Sequence, residues 1–416
     1  MSGAVFTIRL TGLAYGGEAI GRLPDGRAVF VPFALPGETV HLRLVEEKRG
    51  FARAALLEVI SPAPQRIQPP CPHFGECGGC HYQHLSYADQ LTAKQDILRD
   101  QLERIGRLPN PPVRPTVPSP QPSAYRNHIQ FALAPDGKLG YHRPRSESVL
   151  PVQTCLLPEP ALAETWPQLD FEAMPEIERI GLRLGAGNEL QLILESQVSE
   201  LPELSVEELP VSVVHISPAG SLVLAGSPAL EIDVLGRAFQ VSAASFFQVN
   251  TPMAEKMVQH ILETLRSLAA LGPSSVLIDA YCGVGLFSAF LAGQVGELVG
   301  IEASPSAVED FTVNLDEFEN VSIYEAPVES VLPGLDLHPN IVLLDPPRDG
   351  LLPAALDGLL RLAPQFIVYV SCDPATLARD ARRLVAGGYT LLQVTPFDLF
   401  PQTYHIESVS FWQRAA

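Results

Sequence analysis

The most strongly patterned stretch of the chain is Phe366-Ile367-Val368-Tyr369-Val370, an apolar run without charge that ends at Ser371-Cys372-Asp373-Pro374. Such a run predicts a strand buried on both faces. Ala375-Thr376-Leu377-Ala378-Arg379-Asp380 then predicts a helix, with Pro374 in its first turn and Asp373 as its cap. The same alternation holds from about residue 240 onward. Strands are expected at 276–281, 298–302, 321–324, 341–345, 366–372 and 391–396, and helices at 286–292, 305–315, 353–362 and 374–386. That order predicts a doubly wound α/β domain.

The first sixty residues are patterned differently. Short apolar runs at 5–10, 28–33, 39–45 and 54–60 are separated by glycine and proline turns, which predicts a small antiparallel β-barrel. Pro62, Pro64, Pro69 and Pro70 mark a linker. Leu91, Leu98, Leu102 and Ile105 share one face of a helix expected over about 88–107, which would pack on the C-terminal domain. Three domains follow: 1–62, a mixed central domain at 63–237, and 238–416.

Composition changes the picture in two places. No apolar run is long enough to span a bilayer, the N-terminus lacks a signal-peptide layout, and six cysteines in 416 residues do not form a disulfide scaffold. A cytoplasmic protein without a membrane partner is expected, acting as a monomer. The net charge of −19 argues at first against a polyanionic partner. Residues 1–145, however, hold 17 basic against 12 acidic side chains, and the remainder 11 against 35. Residues 146–235 carry only Arg179 and Arg183 against 15 acids, so a polyanion would approach the N-terminal third. There Tyr125-Arg126-Asn127-His128 and Tyr141-His142-Arg143-Pro144-Arg145 mix cations with aromatics, as single-stranded RNA contacts do, although an ordinary surface has the same composition.

Candidate chemistry clusters at the strand ends. Cys372 would stand at the carboxyl end of a central strand, facing a helix N-terminus. Open α/β sheets hold ligands there, and the helix dipole is expected to lower a thiol pKa. A buried structural cysteine is the alternative. Asp279-Ala280-Tyr281-Cys282-Gly283-Val284-Gly285 ends another strand in a glycine turn that lets a ligand approach the backbone. Ser288 replaces the third glycine of a dinucleotide fingerprint, and Glu302 ends the next strand where it would accept bonds from ribose hydroxyls. This suits S-adenosylmethionine better than a nicotinamide cofactor. Asp345-Pro346-Pro347-Arg348 lies at the same sheet edge, and Glu407 alternates with apolar neighbours, where it would point inward as a base.

Cys71, Cys77 and Cys80 fall within ten residues, with Gly78-Gly79 between the last two, and Cys155 is the only other cysteine outside the C-terminal half. Four thiolates suit zinc or an iron–sulfur cluster, and His73, His81 or His84 would also serve zinc.

Together these residues resemble the RNA 5-methyluridine methyltransferases that carry a TRAM barrel and an iron–sulfur cluster. Residues 1–60 resemble TRAM. Ser245-Phe246-Phe247-Gln248-Val249-Asn250, the Asp279 glycine loop, Asp345-Pro346-Pro347-Arg348, Ser371-Cys372-Asp373-Pro374 and His405-Ile406-Glu407-Ser408 match that family's motifs in order. The resemblance implies a Rossmann-like S-adenosylmethionine-dependent domain with Cys372 as nucleophile and Glu407 as proton acceptor. It implies cofactor or substrate contacts at Gln248, Tyr281, Gly283, Gly285, Glu302 and Asp345. It implies a [4Fe–4S] cluster on Cys71, Cys77, Cys80 and Cys155. The barrel-plus-cluster layout resembles ribosomal RNA enzymes more than compact transfer RNA ones. Leu286 stands where relatives often carry a polar cofactor contact, and the acidic segment 159–235 aligns with no motif. Cytosine C5 methylation is one rival, although the second cysteine that cytosine enzymes usually carry beside the Asp345-Pro346-Pro347 position is missing. A silent RNA-binding protein is the other.

Overall fold

The apolar alternation of the first sixty residues closes into a barrel. In the computed structural model, which describes residues 4–172, 174, 176–200 and 210–415, its strands are Val5–Leu13, Glu18–Arg22, Ala28–Pro32, Thr39–Glu47 and Phe51–Ser61. The first strand pairs with both the second and the fourth, so no edge is left open. Leu10, Val29, Val31, Val40, Leu42 and Ala52 fill the interior. Glu18–Arg22 was not expected as a strand. Ile20 is its one strong β-former, and pairing on both sides supplies what its own propensity lacks. A buried carboxylate secures the exit from the barrel: Glu38 accepts from the backbone N–H of Leu35 at 2.8 Å and of Ala63 at 3.2 Å, and pairs with Arg66 at 2.5 Å.

The linker leads to the helix Tyr87–Arg104, N-capped by Ser86. Leu98 and Leu102 share a core with Leu377, Ala378 and Ala381 of the C-terminal helix Pro374–Ala386, so this helix does pack on the C-terminal domain.

The acidic middle of the chain is built. His128–Leu133, Leu139–His142, Val149–Pro151, Ile177–Leu184, Leu190–Ser196, Val211–Ser217 and Gly220–Ala225 form one seven-stranded mixed sheet, with residues 201–209 outside the described residues. Phe131, Ile180, Leu182 and Leu192 of the sheet form a separate core with Trp166, while Glu172, Glu178 and Glu189 are exposed. The hairpin Ala229–Val234/Arg237–Ser242 follows. A boundary at 237/238 would cut its second strand. Ile232, Val234, Phe239 and Val241 all belong to the core of the C-terminal sheet, because the hairpin covers the helices Thr251–Ser267 and Pro305–Asn314.

The C-terminal sheet runs Val321–Glu325, Val295–Glu302, Gly272–Ala280, Ile341–Leu344, Phe366–Ser371, Glu407–Arg414, Tyr389–Phe397, parallel except for the Glu407–Arg414 strand. Alternate residues enter opposite cores: Leu277, Leu298, Leu343 and Val368 one, Ile278, Val299, Leu344 and Ile367 the other. Helices therefore cover both faces, which is the doubly wound arrangement.

Candidate active site and cysteine cavity

The carboxyl ends of the parallel strands open into one cavity of about 920 Å3. Gln248, Tyr281, Gly283, Glu302, Asp345, Cys372 and Glu407 all line it. All but Gln248, which lies just before the helix Thr251–Ser267, arrive on a strand end or the turn after it.

The turn after Gly272–Ala280 is held by an acid. Glu302 accepts from the Gly283 N–H at 3.0 Å and from the N–H groups of Ala303 and Ser304 at 2.7 and 2.8 Å. Its carboxylate is thereby oriented toward the cavity with acceptor capacity to spare. Tyr281 takes a left-handed backbone, φ 64°, to start this turn. The two glycines do different jobs. A Cβ on Gly283 would meet nothing within 4 Å, so its backbone is open to a ligand. Gly285 does not line the cavity: a Cβ there would stand 2.4 Å from Leu315 Cδ1 and 2.9 Å from Phe311 Cδ2, so close helix packing requires it. Asp279 lies beneath the loop and accepts from Ser288 Oγ at 2.6 Å.

Cys372 follows the last residue of its strand. Asp373 caps the next helix, accepting from the N–H groups of Ala375 and Thr376 at 2.9 Å each. Here the structure corrects an expectation: the thiol is not lowered. Burial pushes Cys372 up to about 12, and the carboxyls of Glu407 and Asp345 add to the rise against Arg348. Desolvation and two nearby acids outweigh one helix terminus. Burial likewise raises Asp345 to about 7 and holds Glu407 well above the carboxylate range, with Asp345 adding to the rise and Arg348 opposing it.

Arg348, His405 and Phe400 also line the cavity and received no role from the sequence, although Arg348 and His405 stood inside quoted motifs. The Tyr125–His128 cluster is corrected. Tyr125 and Asn127 are buried, Tyr125 donating to the Pro401 carbonyl at 3.1 Å and Asn127 to the Gln248 carbonyl at 3.1 Å and Thr251 Oγ1 at 2.9 Å. They join the central sheet to the catalytic half rather than stack on bases.

A second cavity, of about 570 Å3, adjoins the first, with Phe246 and Phe247 lining both. Cys71, Cys77, Cys80 and Cys155 share it. The 71–80 loop is closed by the Cys77 N–H donating to the His73 carbonyl at 2.9 Å and the Gly79 N–H to Cys77 Sγ at 3.4 Å. All four thiols are free. Among the described residues no three His, Cys, Asp or Glu side chains converge where a single metal ion would sit. Four free thiols lining one cavity are a donor set of the kind that zinc or an iron–sulfur cluster takes.

Two family models match the chain: one described as tRNA (Uracil-5-)-methyltransferase over residues 153–415, and the TRAM domain over residues 1–57. An uncharacterized RNA methyltransferase of Gloeobacter violaceus is 34% identical, covering 100% of this chain and 98% of its own. One of Aquifex aeolicus is 35% identical, covering 96% of each. The crystal structure of the Pyrococcus abyssi tRNA (uracil-54, C5)-methyltransferase in complex with S-adenosyl-L-homocysteine has the same fold, with a TM-score of 0.73, 23% identity and coverage of 98% of this chain and 100% of that one.

Proposed function

The chain belongs to the tRNA (uracil-5-)-methyltransferase family, and from that premise we propose that it methylates C5 of a uridine in structured RNA through Cys372 and Glu407. The observation that carries this reading is the convergence of Cys372, Glu407, Asp345 and the Glu302-held glycine turn on one cavity. S-adenosylmethionine bound along that turn supplies an electrophilic methyl group.

Uracil C5 is a poor nucleophile, so a thiolate must first add to C6. Cys372 gives up its proton to solvent and forms the C6–S bond, and the C5–C6 π electrons move toward C5 and O4. C5 then takes the methyl group as the sulfonium S–CH3 bond breaks, which leaves the neutral thioether S-adenosylhomocysteine. The Glu407 carboxylate removes the C5 proton, C5=C6 reforms, and the Cys372 thiolate leaves. A carboxylate whose pKa is raised by burial is a stronger base, which suits Glu407 to this removal. Gln248 and Asp345 supply amide and carboxyl groups able to hold the base edge, and Tyr281 flanks the turn.

Cys71, Cys77, Cys80 and Cys155 would hold a [4Fe–4S] cluster. Methyl transfer moves no electrons, so its contribution is to tie the 71–80 loop to the segment near 155. Ribosomal RNA is the substrate that the barrel-plus-cysteine layout favours. Transfer RNA is the second reading, because the family model over residues 153–415 is described as tRNA (Uracil-5-)-methyltransferase and the Pyrococcus abyssi enzyme of the same fold is a tRNA methyltransferase.

Incubating RNA with methyl-labelled cofactor tests the proposal. Label is expected as 5-methyluridine; label in 5-methylcytidine, or no transfer, would overturn it. Mapping 5-methyluridine in cellular RNA with and without the protein identifies the RNA.

A further inference from the structure

The cysteine cavity holds one charge that its own walls do not balance. Three arginines line it, with a single carboxylate among the lining residues, Glu195. Arg179 pairs with that carboxylate at 2.7 Å. Arg183 uses its guanidinium on the backbone, donating to the Ser242 and Ser245 carbonyls at 2.9 Å each. Arg126 is left over: its Nε is buried without a hydrogen-bond partner, and among the described residues no carboxylate pairs with it. Its backbone is pinned beside one of the four cysteines. The Arg126 N–H donates to the Leu157 carbonyl at 2.9 Å, and its carbonyl accepts from the Glu159 N–H at 2.9 Å, just after Cys155 in the chain. The guanidinium carbon lies 5.9 Å from the ring centre of Tyr125 and 6.0 Å from that of Phe400, which lines the Cys372 cavity. Arg126 therefore stands in the wall between the two cavities, and the four thiols are what the cavity offers to answer its charge.

We propose that Arg126 is the counter-cation of a metal centre held on Cys71, Cys77, Cys80 and Cys155. An arginine keeps its proton throughout the physiological range, and burying a cation without an anion is strongly unfavourable. Four thiolates carry more charge than a zinc ion or an iron–sulfur core brings, so the loaded centre is a net anion. Arg126 offsets that charge, and its Nε–H is free to donate toward sulfur. Without the metal the same side chain is a lone buried charge, so Arg126 favours the loaded state over the empty one. The inference rests on the four cysteines binding a metal, and it holds for zinc as for iron.

Arg126→Gln removes the charge and keeps much of the length, whereas Arg126→Lys keeps the charge. Anaerobically purified full-length protein is mixed with an excess of 4-(2-pyridylazo)resorcinol, which takes up both zinc and iron(II), and metal release is followed by absorbance. Release should be about tenfold faster in Arg126→Gln, the loss of one interaction with a charged group, and within about threefold of the parent in Arg126→Lys. Melting temperature gives a second reading. Arg126→Gln should melt below the parent when loaded, and no lower than the parent once both are stripped, because the stripped parent buries a lone charge. Parent-like release in Arg126→Gln would overturn the proposal. So would release in Arg126→Lys as fast as in Arg126→Gln, which would assign the role to packing on Tyr125 and Phe400. An equal drop in melting temperature with and without metal would overturn it as well. A parent protein holding neither zinc nor iron would overturn the metal site itself and the proposal with it, so metal analysis of the parent tells the two failures apart.

Discussion

Cys372 follows Ser371 and Glu407 precedes Ser408, the residue pair that ends the ladder between their antiparallel strands, and both line one cavity. The register of one strand pair therefore brings the proposed nucleophile and the proposed base, 35 residues apart in the chain, to one cavity. Cys372→Ala should abolish turnover and leave cofactor binding measurable by calorimetry. Glu407→Gln should permit addition and methyl transfer but block release, so a covalent protein–RNA adduct should accumulate on denaturing gels. Normal turnover by the Glu407 variant would remove it from the role of base.

The raised thiol gives a pH signature. Burial, Glu407 and Asp345 push Cys372 above its ordinary 9.0, to about 12, so the protonated form dominates across the neutral range. Alkylation of Cys372 in the free enzyme should therefore climb about tenfold per pH unit from 7 to 9 without levelling, because only the thiolate reacts. A plateau below pH 8 would show a lowered thiol instead. Glu407→Gln removes one of the two carboxyls and should raise the alkylation rate at pH 8.

How far the sequence reached depended on range. Strand ends bearing Cys372, Asp345 and Glu302 were legible because apolar runs and the glycine turn are local signals, and the parallel order brings those ends to one edge without further information. The raised thiol was not legible. A helix N-terminus is visible in Asp373-Pro374, but Glu407 and Asp345 reach Cys372 only through the sheet. Tyr125 and Asn127 misled for the same reason: their partners, Pro401, Gln248 and Thr251, lie more than a hundred residues away.

Lys94 supplies a stability test. Its ammonium lies 2.5 Å from Asp398 Oδ1 and donates to the Phe400 carbonyl at 3.0 Å, with both ionic side chains fully buried. This pair fixes the helix Tyr87–Arg104 to the segment that leads into His405 and Glu407. Lys94→Met leaves Asp398 buried and unpaired, and should destabilise by about 3–5 kcal/mol in urea unfolding. Adding Asp398→Leu should recover a large part of that loss, since no lone charge remains.

The cysteine cavity is tested by colour and metal content. Anaerobically purified protein should be brown and carry about four irons per chain. Serine at Cys71, Cys77, Cys80 or Cys155 should lower stability or RNA affinity before it changes the chemical step. Colourless protein with one zinc per chain would overturn the iron assignment.

The two glycines of the cofactor turn should separate binding from folding. Both have positive φ, 54° at Gly283 and 90° at Gly285, so alanine costs about 1–2 kcal/mol of backbone strain at either. Only at Gly285 does the new methyl also collide, with Leu315 and Phe311, and overpacking adds about 1–3 kcal/mol. Gly285→Ala should therefore lower the melting temperature clearly more than Gly283→Ala. At Gly283 the methyl enters the open cavity, where the cofactor would approach the backbone. Gly283→Ala should then weaken S-adenosylhomocysteine binding at least tenfold, about 1.4 kcal/mol, while its fold stays near the parent's. Equal affinity in Gly283→Ala and the parent would mean the cofactor does not lie along this turn.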